Sequence, residues 1–411
     1  MMPPVSAQSA VTQAVRNQPA PVLDHDRGSP AHPRAFARIG AIDALRGLVI
    51  LLMLVDHARE YFYLHAQVSD PMNVAATEPA LFFTRLTAHL CAPVFVALTG
   101  LSAFLYGEAK GGKAAASAFL FKRGIFLVAL ELTVVNFAWT FDLTPTRIFL
   151  QVIWVIGLSM IALAALLHLP RLWLIAIGAA IGLGHNLLDP VAFAPGDWGY
   201  VPWAVLHDRS IIELPWGGDA RTSYPLLPWI GVIALGYAIG PWFVSEVAPP
   251  KRRAWLVWIG AAMLALFVML RSLNIYGDPL PWETGGTPLQ TIMGFLNLTK
   301  YPPSADFLLL TLGLGAFLLA WFYSLSPRAA SWLTVFGSVP LFFYILHLYL
   351  LHLLNLAAGA IAGQSEGELF SLQNVGTVWL LAVLVAFPCW FACRWFGRIK
   401  RRSGRWWMRY L

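Results

Sequence analysis

Apolar residues fill long stretches of the chain, and polar residues gather in the segments between them. Ten apolar runs occur, most of them near the ~20 residues that a helix needs to cross a bilayer. The pattern predicts an all-α, polytopic integral membrane bundle with about ten transmembrane helices. The runs lie at residues 42–63, 88–107, 118–140, 147–168, 171–188, 226–245, 254–274, 304–325, 332–355 and 375–397.

Composition supports a membrane protein. Of the 411 residues, 58% are hydrophobic and only 12% are charged, and the chain holds 18 Trp and 26 Phe. A soluble domain of this size would have to expose many of these side chains to water. The lipid bilayer is therefore the first predicted partner, and the predicted location is a membrane that the chain crosses several times.

The net charge of +7 follows a pattern along the chain. Basic residues occupy alternate interhelical segments, while the intervening segments are acidic or mixed. This is the positive-inside pattern, and it predicts that both termini are cytoplasmic. The basic segments thus indicate how the chain is oriented in the membrane, and nucleic acid is not a predicted partner. The basic segments contain Lys110, Lys113, Lys122 and Arg123, then Lys251, Arg252 and Arg253, then Arg328, and finally Arg394 to Arg409.

The two ends of the chain differ from the apolar body. Residues 1–37 lack the apolar core of a signal peptide and are predicted to be a disordered cytoplasmic tail. Residues 38–398 form the predicted transmembrane domain, and residues 399–411 a basic cytoplasmic tail. Cys91, Cys389 and Cys393 fall inside predicted helices, which favours packing over a disulfide or a metal site. No metal is predicted.

The first apolar run, "IDALRGLVILLMLVDHAREYF", carries ionisable residues that are costly in hydrocarbon. Arg46 and His57 are eleven residues apart, which places them about 20° apart around a helix and roughly 16 Å apart along it. One stripe therefore joins a cation on the cytoplasmic side to an imidazole nearer the outer leaflet. The structural alternatives are a snorkelling Arg46 paired with Asp43, and a histidine that serves only as a hydrogen-bonded anchor.

His57 would need a partner to orient its imidazole, and Asp56 points about 100° away on the same helix. Glu60, Tyr61 or Glu131 are the candidates from the sequence. Other ionisable groups lie within or at the ends of further apolar runs. They either belong to a shared site that contacts substrate or anchor the helices to each other and to the bilayer edge. These groups are Arg85 and His89 at i,i+4 in "TRLTAHL", Tyr344 and His347 at i,i+3 in "YILH", and Lys300 in "TKYPPS".

These residues resemble a known family. The Arg-x10-His spacing is similar to that of acyltransferase-3 type membrane enzymes. More specifically, five segments together resemble bacterial members of the heparan-alpha-glucosaminide N-acetyltransferase catalytic-domain family over residues 38 to 398. The segments are "IDALRGLVILLMLVDHAREYF", "ALFFTRLTAHLCAPVFVALTG", "YPLLPWIGVIALGY", "NLTKYPPSADFLLLTLG" and "VPLFFYILHLYLLH".

The resemblance implies a histidine-dependent membrane acyltransferase that uses acetyl-CoA, or another short acyl-CoA, as co-substrate. The lysosomal enzyme has its histidine in a His-Ala-x-Trp-Asn-Gly stretch just beyond the first helix. Here only His65 and Ala66 match, so His65 is a rival to His57. The implied location is a bacterial inner membrane, and the implied acceptor is an extracytoplasmic amino sugar or glycan. A homodimer is compatible with the sequence.

Acetyl transfer needs a base for the acceptor and stabilisation of an oxyanion. Direct transfer and a covalent acetyl-histidine both satisfy this chemistry. The alternative function is a transporter or lipid flippase, because intramembrane ionisable groups also mark transport pathways. The predicted catalytic residues are His57, His89, His65, Arg85 and Asp56, the predicted CoA-binding residues are Arg46, Lys122 and Arg123, and the predicted acceptor-binding residues are His347, Tyr344, Lys300 and Trp216.

Overall fold

The fold comes from a computed structural model. It describes residues 33–411 except 245, 327, 367, 368, 404, 406, 407, 409 and 411, with side chains described from residue 40 onward. The predicted tail at 1–37 therefore lies largely outside the described residues. Its last five residues already belong to the first helix, which begins at Pro33.

The first half of the chain is a series of helices that are interrupted by short turns and three strands. A π-helical turn, Glu131–Val135, continues α4 into α5. The elements are α1 (Pro33–Phe62), α2 (Pro79–Thr87), α3 (Cys91–Lys110), α4 (Lys113–Leu130), α5 (Asn136–Thr140), β1 (Arg147–Leu150), α6 (Val152–Leu166), α7 (Arg171–Gly184), α8 (Tyr200–Leu206), β2 (Ile211–Glu213) and β3 (Asp219–Thr222).

The second half is helical. The helix α15 continues past residue 398, where the predicted transmembrane domain ends, and stops at Arg402, inside the predicted basic tail. The elements are α9 (Leu227–Ala238), α10 (Pro249–Leu273), α11 (Pro288–Leu296), α12 (Ala305–Ser324), α13 (Ser331–Gly337), α14 (Pro340–Ala362) and α15 (Val375–Arg402).

The architecture is that of a helical, multi-pass membrane protein. Six helical segments of the described chain are long and apolar enough to cross a membrane, and α6 and α9 are shorter apolar helices. The helix α1 is not among the six because ionisable residues interrupt its apolar sequence. Every one of the ten predicted runs contains helix. The count of ten membrane crossings and the cytoplasmic termini stay predictions. The six segments are 79–110, 171–188, 249–273, 305–324, 340–362 and 375–402.

The prediction of an all-α fold misses a small sheet. The strand β3 pairs in parallel with β1 and antiparallel with β2. The run at 147–168 begins as a strand because the Asn136 side chain bonds both backbone groups of Phe149, accepting from its N–H at 2.7 Å and donating to its carbonyl at 2.9 Å. Arg147 also pairs with Asp219 of β3, with 2.6 Å between Nε and Oδ1. These contacts come from distant residues, which an apolar pattern does not reveal.

Close helix contacts place α1 at the centre of the bundle. It packs against α3, α12, α13, α14 and α15. At the α1–α13 contact, a Cβ at Gly47 would collide with the Leu333 backbone, and one at Gly337 would collide with the Asp43 backbone. Small residues allow two membrane helices to approach this closely. The contact holds α13 and the start of α14 beside the polar stripe of α1.

Candidate active site

A cavity of about 330 Å³ lies inside the bundle beside α1. Arg46 and His57 both line it, as expected for residues on one helical stripe. Because α1 is helical between them, they are separated by roughly 16 Å along its axis. The cavity is therefore elongated, with a different set of polar groups near each of these two residues.

Three cations from three helices line the cavity near Arg46. Arg46 donates to Asp43 Oδ1 at 3.1 Å, to the Leu98 carbonyl at 3.3 Å and to the Ser102 hydroxyl. Arg123 of α4 and Lys400 of α15 lie close enough to interact electrostatically with Arg46, and both line the cavity. Arg46 thus forms the predicted pair with Asp43 and also lines the cavity.

His57 forms a dyad with His347 at the other end of the stripe. His57 Nδ1 lies 2.7 Å from His347 Nε2. The two rings are nearly coplanar, with 6° between their planes and 5.0 Å between their centroids. This is the arrangement of a linear hydrogen bond in the plane of both rings. Trp139 and Tyr344 contact His57 edge-on, with centroids at 5.2 and 6.0 Å.

The hydrogen bonds of the neutral dyad assign its tautomers. His347 Nδ1 lies 2.8 Å from the Phe343 carbonyl, which can only accept, so Nδ1 carries the His347 proton. His347 Nε2 then accepts, and His57 Nδ1–H donates to it. The lone pair of His57 is left on Nε2, which hydrogen-bonds no described residue, while the His57 side chain lines the cavity. A neutral imidazole held this way can accept a proton from a bound molecule.

Asp56 lies next to His57 in a buried ion network. Arg59 Nε donates to Asp56 Oδ1 at 3.1 Å, and Arg85 Nη1 donates to Asp56 Oδ2. The side chains of these three residues are each less than a tenth exposed. Two guanidinium groups therefore occupy both carboxylate oxygens. Arg85 itself does not line the cavity, so this network supports the wall of the site.

Lys300 and Tyr224 complete the wall near His57. The Lys300 side chain is close enough to interact electrostatically with Asp56 and His57, and its backbone N–H donates to Asp70 Oδ2 at 3.1 Å. The Tyr301 hydroxyl donates to the Tyr224 hydroxyl at 3.1 Å. Burial raises the pKa of Asp70 and raises the pKa of Tyr224 well above its usual value. The two hydrogen bonds tie the segment that holds Lys300 and Tyr301 to Asp70, in the loop after α1, and to Tyr224, which follows β3.

Six of the predicted site residues do not line this cavity: Arg85 and His347, which contact the lining residues Asp56 and His57, and four others that lie elsewhere. His89 is buried against Phe307, with both ring nitrogens unbonded to any described residue. His65 is exposed and contacts Ser371. Lys122 is exposed because it faces away from the cavity, which its neighbour Arg123 lines. Trp216 is 76% exposed in the turn between β2 and β3.

The sequence-based candidates for orienting His57 are also placed elsewhere. Glu60 pairs with Arg59, Tyr61 donates to the Ala138 carbonyl, and Glu131 accepts from the Gln151 N–H. His347, which was predicted to bind acceptor, contacts His57. Lys400 and Tyr224 were absent from the predicted site. A signal for Lys400 was available, since the apolar pattern of α15 continues into the basic segment that holds it.

The comparison with protein-family models agrees with the resemblance to the heparan-alpha-glucosaminide N-acetyltransferase family. The family model described as heparan-alpha-glucosaminide N-acetyltransferase, catalytic, matches residues 38–276, which is more than half of the chain. The chain belongs to this family. Membership indicates a membrane acetyltransferase, and the matched residues include both Arg46 and His57. The comparison with curated proteins finds no match.

A test of the dyad is available for this heparan-alpha-glucosaminide N-acetyltransferase family member. His347→Phe keeps a planar ring but removes the acceptor for His57 Nδ1–H, so kcat for acetyl transfer is expected to fall on the order of 10²-fold. His347→Gln retains a side-chain oxygen that can accept, and it is expected to keep more activity. Equal kcat for wild type and His347→Phe in a steady-state assay would exclude an orienting role for His347.

Proposed function

We propose that the protein transfers an acetyl group, or another short acyl group, from acyl-CoA to an amino sugar or glycan. The donor enters from the cytoplasmic side of a bacterial inner membrane, and the acceptor binds on the opposite side. One observation carries the proposal: a single cavity joins the cation cluster of Arg46, Arg123 and Lys400 to the imidazole of His57.

The cation cluster suits the phosphates of CoA. Guanidinium groups form charge-assisted, often bidentate hydrogen bonds with phosphate oxygens. With the phosphates held near Arg46 and Arg123, an extended pantetheine arm would point along α1 toward His57. The separation of roughly 16 Å between the two ends matches such an arrangement. The apolar residues Ile50 and Met53 line the cavity between them and suit the alkyl portions of the arm.

The chemical step follows from the state of the dyad. The acceptor amine or hydroxyl attacks the thioester carbonyl, and His57 Nε2 accepts the proton that the acceptor loses. The tetrahedral intermediate then collapses, the carbon–sulfur bond breaks, and the proton passes to the departing thiolate. His347 stabilises the transient His57 imidazolium by accepting its Nδ1–H. Acetylated acceptor and free CoA are the products.

The developing oxyanion needs a positive partner in the same cavity. Lys300 supplies one, since it is buried, lines the cavity and lies near His57. A charged donor in a site with little water stabilises an oxyanion more than it would in solution. The pairing of Asp56 with Arg59 and Arg85 satisfies that carboxylate, which leaves His57 as the group with a free lone pair for proton transfer.

The proposal is tested with the purified full-length protein in lipid nanodiscs and acetyl-labelled acetyl-CoA. Glucosamine and a panel of amino sugars and hydroxylated glycans serve as acceptors. We expect release of free CoA that depends on the acceptor and matches the label transferred to it. If the protein shows no acetyl-CoA binding and no acceptor-dependent CoA release with any member of the panel, the acyltransferase proposal is rejected and the transporter or flippase alternative is favoured.

The donor site yields a sharper prediction from two adjacent residues. Arg123→Ala removes a cation from the cavity wall, whereas Lys122→Ala removes one from the exposed surface beside it. Loss of a charge-assisted phosphate contact is expected to raise the KM for acetyl-CoA by about 10- to 100-fold. Lys122→Ala is expected to leave that KM unchanged. Equal KM values for the two variants in a saturation assay would place CoA elsewhere.

A further inference from the structure

Three side chains with metal-ligating atoms meet at the end of the bundle that carries the sheet. His185 follows α7, Asp189 comes one helical turn later, and His207 follows α8. One ligand atom from each lies within 4.8 Å of the others. His207 Nε2 is 3.4 Å from Asp189 Oδ1. Two ligands of a tetrahedral Zn²⁺ are separated by about 3.3 Å, given Zn–N and Zn–O bonds of about 2.0–2.1 Å.

His185 gives an independent reason to expect a ligand. Its side chain is only 2% exposed, yet neither ring nitrogen completes a hydrogen bond with a described residue, although the Pro303 backbone approaches the ring. Burying a polar group without a partner is costly. A metal ion bound to one ring nitrogen would satisfy that atom.

The imidazole of His207 is held in position for the same role. Its ring stacks on Trp203, with 5.0 Å between centroids and 19° between planes. His207 Nδ1 lies 3.5 Å from the Asp208 carboxylate. A carboxylate behind the distal nitrogen is the usual second partner of a metal-bound histidine. His207 Nε2 now lies 3.1 Å from the His185 carbonyl, which can only accept, so Nε2 carries the proton. To bind the ion through Nε2, this proton would move to Nδ1, beside Asp208.

We propose that His185, Asp189 and His207 bind a divalent transition metal, with Zn²⁺ the best match. Two imidazoles and one carboxylate form a donor set that Zn²⁺ takes with a fourth position open to solvent. The proposal concerns a site separate from the cavity at His57, since none of the three residues lines that cavity. It stands whether or not the protein is an acyltransferase.

The ion would fasten two segments that border the cavity. The Asn186 amide donates to Asp189 Oδ2 at 2.9 Å, and its oxygen accepts from the Ala305 N–H at 2.9 Å, at the start of α12. On the other side, the Thr222 hydroxyl of β3 donates to the Asp208 carbonyl at 3.2 Å. Tyr224 and Lys300, both cavity residues, follow β3 and precede α12 respectively. The metal would therefore brace the end of the cavity near His57.

The test measures metal content and ligand geometry in the full-length protein, purified with a tag that lacks histidine and cysteine. After chelation and dialysis, the protein is reloaded with Zn²⁺ or Co²⁺. We expect one equivalent per chain, and visible Co²⁺ absorption bands of a four-coordinate site. His185→Gln, His207→Gln and Asp189→Asn are expected to weaken Zn²⁺ binding on the order of tenfold or more.

His168→Gln is the matched control, since His168 is exposed in the turn before α7, whereas His185 follows the opposite end of that helix. It is expected to retain full stoichiometry. Asp189→Asn preserves shape, so it keeps the test informative if a histidine variant does not fold. Less than a tenth of an equivalent bound by folded wild type after reloading, or unchanged Zn²⁺ affinity in folded Asp189→Asn, would overturn the proposal.

Discussion

His57→Ala is expected to lower kcat for acceptor-dependent CoA release by about 10²–10⁴-fold, the usual contribution of a general base. The reason is that His57 Nε2 has the free lone pair of the dyad and its side chain lines the cavity. The KM for acetyl-CoA is expected to change little, because the cations near Arg46 are untouched. Steady-state assays with labelled acetyl-CoA measure both quantities.

His65→Ala is the matched control for this prediction. His65 is exposed, contacts Ser371 and lies outside the cavity wall, so its loss is expected to leave kcat near that of wild type. The His-Ala-x-Trp-Asn-Gly stretch of the lysosomal enzyme makes His65 a rival on sequence grounds. An inactive His65→Ala beside an active His57→Ala would reverse the assignment and move the reaction to the loop after α1.

The second large effect concerns stability. Asp56→Asn removes the negative charge that Arg59 and Arg85 share inside the bundle. Breaking a buried ion pair by removing one partner leaves an uncompensated charge and costs about 3–5 kcal/mol. The thermal unfolding midpoint of the purified protein in detergent is therefore expected to fall by several degrees, with loss of activity as a secondary result.

An exposed ion pair provides the comparison. Asp219→Asn breaks the ion pair that joins Asp219 of β3 to Arg147 of β1. The Asp219 side chain is 25% exposed and the Arg147 side chain is 43% exposed. Exposed pairs contribute little because water and salt screen them, so a much smaller shift in the midpoint is expected. An unfolding midpoint for Asp56→Asn that equals that of wild type would show that the network around Asp56 is not important for stability.

Helical periodicity predicted the part of the site that lies on one element. The spacing of Arg46 and His57 predicted a shared stripe, and both residues line the same cavity. The ten apolar runs likewise predicted where helices form, because burying apolar side chains along a helix is a local property of the sequence. The family resemblance is confirmed by the family match over residues 38–276, whereas the two quoted segments beyond residue 276 lie outside that match.

Contacts between elements were not predictable in this way. Nothing in the local pattern around His347 shows that its Nε2 faces His57, 290 positions away. Likewise, Lys122 and Arg123 look equivalent in sequence, and only the packing of α4 decides which one lines the cavity. The strand at Arg147–Leu150 depends on Asn136 and on β3. The cluster of His185 and His207 depends on how α7 and α8 meet.

A structure of the protein with bound acetyl-CoA tests the central claim most directly. The account predicts that the CoA phosphates contact Arg46 and Arg123, with the thioester carbonyl carbon toward His57 and room for an acceptor atom about 3–3.5 Å from the carbon it attacks. Acetyl-CoA bound outside this cavity, or bound within it with the thioester directed away from His57, would contradict the account.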